Sequence, residues 1–240
     1  MEHVSALRMT QLKGNIKRIP TAFWMILLLI VIFTLVNPRY FRLSNLQSVL
    51  IQSIPLMIVA FGQTLIVLTQ GTDLSLGAQV SFVTVFWMYL AKLGVPMYLA
   101  GLLAIVAVMI AGMINGIVVS KGKIQPFIAT LGMQNILYSL SLLLTSGASI
   151  YYYHDIFIVI TEGKIFGIRN IIWILIIVFS FTWIMLRKTR FGTSITAIGG
   201  NAEALTLAGQ NADRSLIKTY VFAAFLAGIA GIVTASRVES

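Results

Sequence analysis

Residues that could carry out acid–base, nucleophilic or metal chemistry are few in this sequence, and none forms a catalytic pattern. The chain has no cysteine, and its two histidines, His3 and His154, lie far apart. A helical zinc site needs two histidines on one helix face, at a spacing such as i and i+4. A GxxxxGK[ST] phosphate-binding loop is also absent. The sequence therefore predicts no catalytic residue, no metal ligand and no cofactor bound by this chain, and any ATP must be bound by another subunit.

Polar residues in the interiors of the long apolar runs are uncharged, and the basic Lys218 lies near the start of the last run. The uncharged polar residues include Gln52, Gln63, Thr64, Asn115, Gln134, Asn135, Ser139 and Ser141. Ionisable residues at bilayer depth mark proton and ion pathways, and the interiors of these runs contain no Asp, Glu, Arg or His. A proton-coupled carrier is therefore disfavoured. Amides and hydroxyls suit an uncharged polar solute such as a sugar, although they also hold membrane helices together.

Two segments between apolar runs have the sequence of helix starts. QGTDLSLG, from Gln70 to Gly77, contains Thr72 and Asp73, either of which offers the side-chain oxygen that an N-terminal helix cap needs. Asp73 would also favour the positive end of the helix dipole. KGKIQPFIATLG, residues 121–132, places Pro126 where a helix can begin without losing a hydrogen bond.

A third segment, GGNAEALTLAG, runs from Gly199 to Gly209 in a basic stretch. Asn201 can cap a short helix, Glu203 would lie in its first turn, and Gly209 can close it with a left-handed turn. A helix of about eight residues is marginal in water, where about 12 to 15 are needed even for good helix formers. We therefore expect it to dock, either on the ends of the chain's own membrane spans or on a partner protein.

Small residues recur at a spacing that lets helix backbones approach closely. Gly112 and Gly116 form a GxxxG step. A second series places a small residue at every fourth position, namely Ala223, Ala227, Gly231 and Ala235. We expect these residues to pack within the chain in preference to forming a dimer interface.

The elements that must position these segments are apolar helices. Of the 240 residues, 58% are hydrophobic and only 10% are charged, whereas a soluble domain is about 45–50% apolar and about 25% charged. This composition excludes an ordinary globular enzyme and intrinsic disorder. Seven runs approach the roughly 20 apolar residues that cross a bilayer as a helix: 20–36, 46–69, 74–91, 95–119, 124–144, 168–186 and 216–235. The sequence predicts an all-α polytopic transmembrane bundle of about seven spans.

Basic residues predict the orientation of these spans. The net charge is +10, and the Lys and Arg residues lie between apolar runs, which indicates membrane topology rather than binding to nucleic acid. With the amino terminus in the cytoplasm, the inside segments hold the larger share of Lys and Arg, as the positive-inside rule requires. Residues 1–19 are then a basic cytoplasmic tail, and 20–240 form the transmembrane domain. This domain has an outside loop at 146–167 and an inside loop at 187–215.

The motifs GTDLS, QPFIATLG and GGN-x-EA-x4-G, in this order and spacing, resemble those of the permease subunits of bacterial ABC importers for pentoses and hexoses. The resemblance to this ribose, xylose and galactose permease family covers nearly the whole chain. It implies a multi-pass protein of the bacterial cytoplasmic membrane that passes a monosaccharide by alternating access. The implied partners are an ATP-binding subunit that hydrolyses ATP, an extracytoplasmic sugar-binding protein, a second permease copy in a homodimer, and membrane lipid.

The resemblance also implies which residues form the sites. The loop that couples to the ATPase would comprise Gly199, Gly200, Asn201, Glu203, Ala204 and Gly209, with Leu205 where the family has a second Ala. The translocation pathway would comprise Gln63, Gly71, Thr72, Asp73, Ser75, Gln125, Pro126, Phe127 and Thr130. The family continues for further spans, so the chain is expected to be a truncated member.

Two other functions stay open on the sequence. One is a secondary carrier or channel for a small polar solute, which would need neither ATP nor partners. The other is an ABC permease for another solute, such as a branched-chain amino acid, because those permeases share the architecture without the pair of motifs GTDLS and PFIATLG.

Overall fold

The computed structural model of the chain describes residues 21–37 and 39–238. The basic tail predicted for residues 1–19 lies outside the described residues. Within these residues the chain forms nine helices and one two-stranded hairpin, so the prediction of a helical bundle is confirmed. The elements are α1 (Thr21–Val36), α2 (Leu43–Leu68), α3 (Leu76–Lys92), α4 (Met97–Ser120), α5 (Pro126–Thr145), α6 (Asp155–Thr161), β1 (Lys164–Ile165), β2 (Ile168–Arg169), α7 (Asn170–Lys188), α8 (Arg190–Leu207) and α9 (Ala212–Val238).

Five helices of the described part are long and apolar enough to cross a membrane, namely α2, α4, α5, α7 and α9. The other two predicted spans form shorter helices: α1 has 16 residues and α3 has 17. At 1.5 Å per residue these two rise about 24 and about 26 Å, less than the roughly 30 Å of a hydrocarbon core. The protein is thus a polytopic helical membrane protein with five helices of full spanning length in the described residues.

Two compact units divide the chain between Leu50 and Ile51. In the first unit, Asn45 Nδ2 donates a hydrogen bond to the carbonyl oxygen of Tyr40 at 2.8 Å. The Tyr40 ring stacks on Phe33, with the ring centroids 5.8 Å apart. These contacts order the turn that follows α1. The second unit contains the three motif segments, residues 70–77, 121–132 and 199–209.

α9 is the central helix of the second unit and packs against α3 and α4. Glycines bring the backbones close together: a Cβ added at Gly112 would lie 2.5 Å from the Ala224 Cβ, and one at Gly231 would lie 2.6 Å from the Val83 Cβ. Neither pair of helices could pack this way with a larger residue at the glycine position. The prediction that the small residues pack within the chain is confirmed.

Contacts at one end of the second unit join three inter-helix segments, and we call it the Gly199 end. Gln70 Nε2 donates a hydrogen bond to the backbone oxygen of Gly199, and Lys123 Nζ lies 3.4 Å from Asp213 Oδ1. The segments before α3, before α5 and around α8 therefore lie together. The predicted spans place these three segments on one side of the membrane, because two predicted spans separate each segment from the next.

The opposite end, which we call the Phe157 end, is built around an aromatic pair. Phe157 of α6 meets Trp87 of α3 edge to face, with centroids 5.1 Å apart. The Trp87 indole N–H donates to the Met97 carbonyl oxygen at 2.9 Å, and Thr161 Oγ1 donates to the Ser236 carbonyl oxygen at 3.0 Å. These contacts tie α3, α4, α6 and α9 at this end.

The region predicted as an outside loop, 146–167, contains a helix and the first strand of a hairpin. α6 begins after His154, whose ring Nδ1 accepts a hydrogen bond from the backbone N–H of Ile156 at 3.2 Å. The turn between β1 and β2 has positive φ at both Phe166 (53°) and Gly167 (77°), the combination that two-residue hairpins favour. With seven residues, α6 is too short to give a clear periodic signal in the sequence.

Candidate functional site

The short helix predicted in the 187–215 loop is present as the second part of α8. A kink at Asn201, where φ is −161° and ψ is 100°, separates it from a longer first part. Asn201 Oδ1 accepts a hydrogen bond from the backbone N–H of Ala204 at 2.9 Å, and Gly209 follows the helix with φ of +81°. The Asn201 cap and the left-handed turn at Gly209 are therefore both confirmed. The first part, which begins at Arg190, was not predicted.

One residue of this short helix, Leu205, is buried against other described residues. The other residues from 202 to 207 are exposed, including Glu203 and Ala204. Leu207 has 84% of its surface exposed. The short helix therefore rests on its own chain along one side and presents a carboxylate and a leucine on the surface.

The two glycines before the kink have different surroundings. A Cβ added at Gly199 would overlap the carbonyl oxygen of Leu68, at the end of α2. One added at Gly200 would meet no described atom within 4 Å. Only Gly199 is thus required by a close backbone contact, and its own carbonyl oxygen accepts the hydrogen bond from Gln70.

The segment before α3 is held by a buried polar network centred on Ser75. Ser75 donates to Asp73 Oδ1 through its backbone N–H at 2.7 Å and its hydroxyl at 2.6 Å. The Ser75 hydroxyl in turn accepts hydrogen bonds from Gln79 Nε2 at 2.8 Å and Asn115 Nδ2 at 3.0 Å. All four residues are buried. The network therefore fixes the segment to both α3 and α4.

Asp73 and Thr72 do not cap α3, so that prediction is wrong. The carbonyl oxygen of Ser75 accepts the backbone N–H of Gln79 at 2.8 Å, which makes Ser75 the residue before the first helical position. Asp73 lies two residues too early to reach the free N–H groups of the helix, and it accepts the Ser75 N–H in an Asx turn instead. Burial raises the pKa of the Asp73 carboxyl, and the hydrogen bonds from Ser75 partly oppose that rise.

Thr130 joins two of the three motifs that carry the family resemblance, GTDLS and QPFIATLG. Its side-chain oxygen accepts the backbone N–H of Leu74 and lies 3.4 Å from the carbonyl oxygen of Thr72. It is buried, on the first turns of α5. Pro126 opens that helix as predicted. The structure therefore brings Thr130 together with the segment before α3.

A cavity of about 600 Å³ lies between α2 and the start of α3. Gln63 and Asp73 line it, together with Thr64 and Gly77, so two predicted pathway residues share one space. Other predicted pathway residues are placed elsewhere. Gly71 is half-buried, and a Cβ there would lie 3.3 Å from the Tyr220 hydroxyl. Gln125 and Phe127 are exposed, and neither lines the cavity.

Several residues of this region were not predicted as site residues, among them Gln79, Tyr220 and Gln70. Gln79 could have been found, because it follows Ser75 at the i+4 spacing that places two side chains on one helix face. Tyr220 reaches the segment from α9, and Gln70 reaches the coupling loop, through contacts that leave no local signal in the sequence.

Within residues 21–37 and 39–238, no three His, Cys, Asp or Glu side chains are grouped as metal ligands.

Comparison with known proteins gives the same assignment as the motifs. The ribose import permease protein RbsC of Haemophilus influenzae is 34% identical over 225 residues, which cover 91% of this chain and 69% of the relative. RbsC of Escherichia coli K12 is 33% identical over 219 residues, covering 90% and 68%. The galactose/methyl galactoside import permease protein MglC of Haemophilus influenzae is 30% identical over 239 residues, covering 91% and 70%.

The family match extends over most of the chain. A family model described as branched-chain amino acid transport system / permease component matches residues 45–240, whereas no solved structure matches the chain. The resemblance to ribose and galactose permeases is therefore confirmed. The matched range includes the buried network at Ser75, the start of α5 and the short helix after Asn201. The chain belongs to this family of transport-system permease components.

Proposed function

We propose that this chain is the membrane-spanning permease of an ATP-driven importer and forms the passage for a monosaccharide. The short helix after Asn201 is the observation that carries the proposal. It is capped at Asn201, anchored by Leu205, and leaves Glu203 and Leu207 exposed. Relatives named as ribose and galactose permeases support a monosaccharide as the solute.

The energy for uptake comes from a partner in this proposal. The predicted spans carry no carboxylate in their interiors, where proton-coupled carriers hold their titrating acids, and the buried Asp73 lies before the first residue of α3. An ATP-binding subunit that docks on Glu203 and Leu207 supplies the energy for uptake instead. ATP is bound and hydrolysed there, and this chain acts as the permease rather than as the enzyme.

Charge distribution supports a cytoplasmic position for the Gly199 end. Basic residues at that end of the second unit are Lys121, Lys123, Arg187, Lys188, Arg190, Arg214 and Lys218. The Phe157 end has fewer, namely Lys92, Lys164, Arg169 and Arg237. Cytoplasmic segments of membrane proteins carry the excess of Lys and Arg. With all seven apolar helices inserted, the amino terminus is cytoplasmic as well.

Transport then follows from rigid-body movement of the docked loop. Closure of the ATP-binding subunits displaces α8, and the spans next to it open the passage alternately to each side. A second permease copy completes the passage, and an extracytoplasmic sugar-binding protein delivers the solute at the Phe157 end. Gln63 and Asp73 line the passage through their shared cavity, while Ser75 and Thr130 hold the segment beside it. The site of action is the bacterial cytoplasmic membrane.

Reconstitution tests the proposal. The chain is co-expressed with the ATP-binding and solute-binding proteins encoded beside it, and uptake of labelled ribose, galactose and leucine into liposomes is measured with and without ATP. We expect uptake of ribose or galactose that needs ATP and both partners. Uptake of leucine alone would assign a branched-chain amino acid as the solute. Downhill uptake by the isolated chain without ATP would show a carrier or channel.

Variants of the short helix test the docking surface. Glu203→Ala and Gly209→Val should lower ATP hydrolysis stimulated by the loaded solute-binding protein by about tenfold, the effect of losing about 1.4 kcal/mol of interaction. Sugar binding to the solute-binding protein should not change. Ile177→Val is the control, because it shortens an exposed side chain in the middle of α7, away from both ends of the second unit. Normal coupling in both short-helix variants would refute the docking assignment.

A further inference from the structure

We propose that the contact between Gln70 and Gly199 transmits the movement of α8 to residues 70–75, which makes both of them positioning residues for transport. This inference rests on the proposed function and specifies how a displacement of the docked loop reaches the cavity. The contact joins residues that are 129 positions apart in the sequence. It links the segment that bears the short helix to the segment that carries Asp73.

Backbone geometry makes Gly199 a close-fitting part of this contact. Gly199 lies in the last turn before the kink at Asn201, and the last carbonyl groups of a helix lack partners within it. Gln70 Nε2 supplies that partner. At the same time the Cα of Gly199 approaches the Leu68 carbonyl so closely that no side chain fits between them. A shift of α8 therefore pushes or pulls directly on the end of α2.

Only a few residues connect the end of α2 to the buried network centred on Ser75. Two residues separate Gln70 from Asp73, and Gln70 itself is held in the left-handed region with φ of 60°. Asp73 and Ser75 are bonded to each other and, through Asn115, to α4. A displacement at Gln70 is therefore passed to the wall of the cavity that Asp73 lines.

The buried atoms at this point indicate a network that is poised to rearrange. Asp73 Oδ2, Gln79 Oε1 and the Tyr220 hydroxyl are buried without a hydrogen-bond partner among the described residues. Each of these atoms loses its hydrogen bonds to water on folding and gains no hydrogen bond from the described residues, which costs free energy. A second arrangement of residues 70–75 that pairs these atoms would offset that cost, which is what a two-state element needs.

A matched pair of glycine variants tests the contact. Gly199→Ala places a methyl group against the Leu68 carbonyl, whereas Gly132→Ala, on α5 and outside the coupling loop, enters open space among the described residues. Gln70→Glu is a nearly isosteric third variant that replaces the amide donor at an exposed position. All three are assembled with the ATP-binding and solute-binding proteins, and both subunit binding and stimulated ATP hydrolysis are measured.

We expect Gly199→Ala and Gln70→Glu to bind the ATP-binding subunit as the wild-type chain does. Stimulation of ATP hydrolysis by the ribose-loaded solute-binding protein should fall about fivefold or more, the range of a coupling free energy. Gly132→Ala should behave as the wild-type chain. Hydrogen exchange adds a second readout. A non-hydrolysable ATP analogue should change the exchange of residues 70–75 in the wild-type complex and leave it unchanged in the Gln70→Glu complex.

Each outcome decides the inference. Normal stimulation and normal exchange changes in Gln70→Glu would overturn it, and so would loss of subunit binding, which would place Gly199 in the docking surface instead. If Gly199→Ala fails to fold, Gln70→Glu decides, because its side chain is exposed. Absence of ATP-dependent uptake by the wild-type chain would overturn the proposed function as a whole. Normal uptake by the wild-type chain and by both variants would overturn this inference alone.

Discussion

Thr130 and Leu74 are joined by one hydrogen bond, in which the Leu74 backbone N–H donates to Thr130 Oγ1 at 3.1 Å. The hydroxyl proton of Thr130 is directed to the Pro126 carbonyl oxygen at 2.8 Å. A single buried hydroxyl thus connects the start of α5 to the segment before α3. Two of the three motifs that carry the family resemblance, GTDLS and QPFIATLG, meet at this bond.

Removal of the Thr130 hydroxyl should destabilise the protein. Thr130→Val keeps the shape of the side chain but leaves the Leu74 N–H without its acceptor, which costs about 1–3 kcal/mol for a buried group. Thr130→Ser keeps the hydroxyl and is the matched control. We expect a lower thermal midpoint in detergent for the valine variant than for the serine variant. Equal midpoints would show that the bond contributes nothing to stability.

Asp73 should make the stability of the protein depend on pH. Burial raises the pKa of its carboxyl above the ordinary value of 3.8, against the opposing effect of the Ser75 hydrogen bonds. The folded state therefore binds the proton more tightly than the unfolded state. Stability falls as the pH rises from 3.8 through the raised pKa, and it is regained as the pH falls through the same window.

Asp73→Asn isolates this effect, because the amide keeps the Oδ1 acceptor and does not titrate. The free energy of unfolding of the wild-type chain, relative to the variant, should increase on acidification by at most about 1.4 kcal/mol per pH unit. Denaturant unfolding of both proteins in the same detergent at several pH values measures the difference. Two parallel pH curves would exclude a contribution from Asp73.

Local signals in the sequence predicted local features of the structure. Pro126 opens α5, and Asn201 caps the short helix, because a helix start depends on one or two residues. The small residues of α4 and α9 were predicted to pack within the chain, since their spacing places them on one helix face. The apolar runs predicted the long helices because the bilayer sets their length.

Features that depend on distant contacts were not predictable in this way. The first part of α8, with the sequence RFGTSITAIGG, is rich in Gly, Thr and Ile, which are poor helix formers. Its Ile195 is fully buried in a cluster with residues of α2, α7 and α9, so tertiary packing stabilises this helix. The hydrogen bond between Gln70 and Gly199 joins a side chain to a backbone group far along the sequence, and no local sequence pattern predicts such a contact.

Gly112 should be essential for the contact between α4 and α9. A Cβ at this position would lie 2.5 Å from the Ala224 Cβ and 2.7 Å from the Tyr220 carbonyl oxygen, so Gly112→Ala must push the two helices apart. Overpacking of this kind costs about 1–3 kcal/mol. Gly132→Ala is the matched control on α5, where an added Cβ meets no described atom within 4 Å.

The control should be stabilised by about 0.5–1 kcal/mol, since alanine favours the helix over glycine. The two variants should therefore move the thermal midpoint in opposite directions when they are compared in the same detergent. Because Gly112 lies against the central helix, its replacement should also loosen the buried network that Asn115, three residues later, makes with Ser75. Faster hydrogen exchange of residues 73–79 in Gly112→Ala would show this. Midpoints that rise alike in both variants would mean that α4 and α9 do not depend on this close approach.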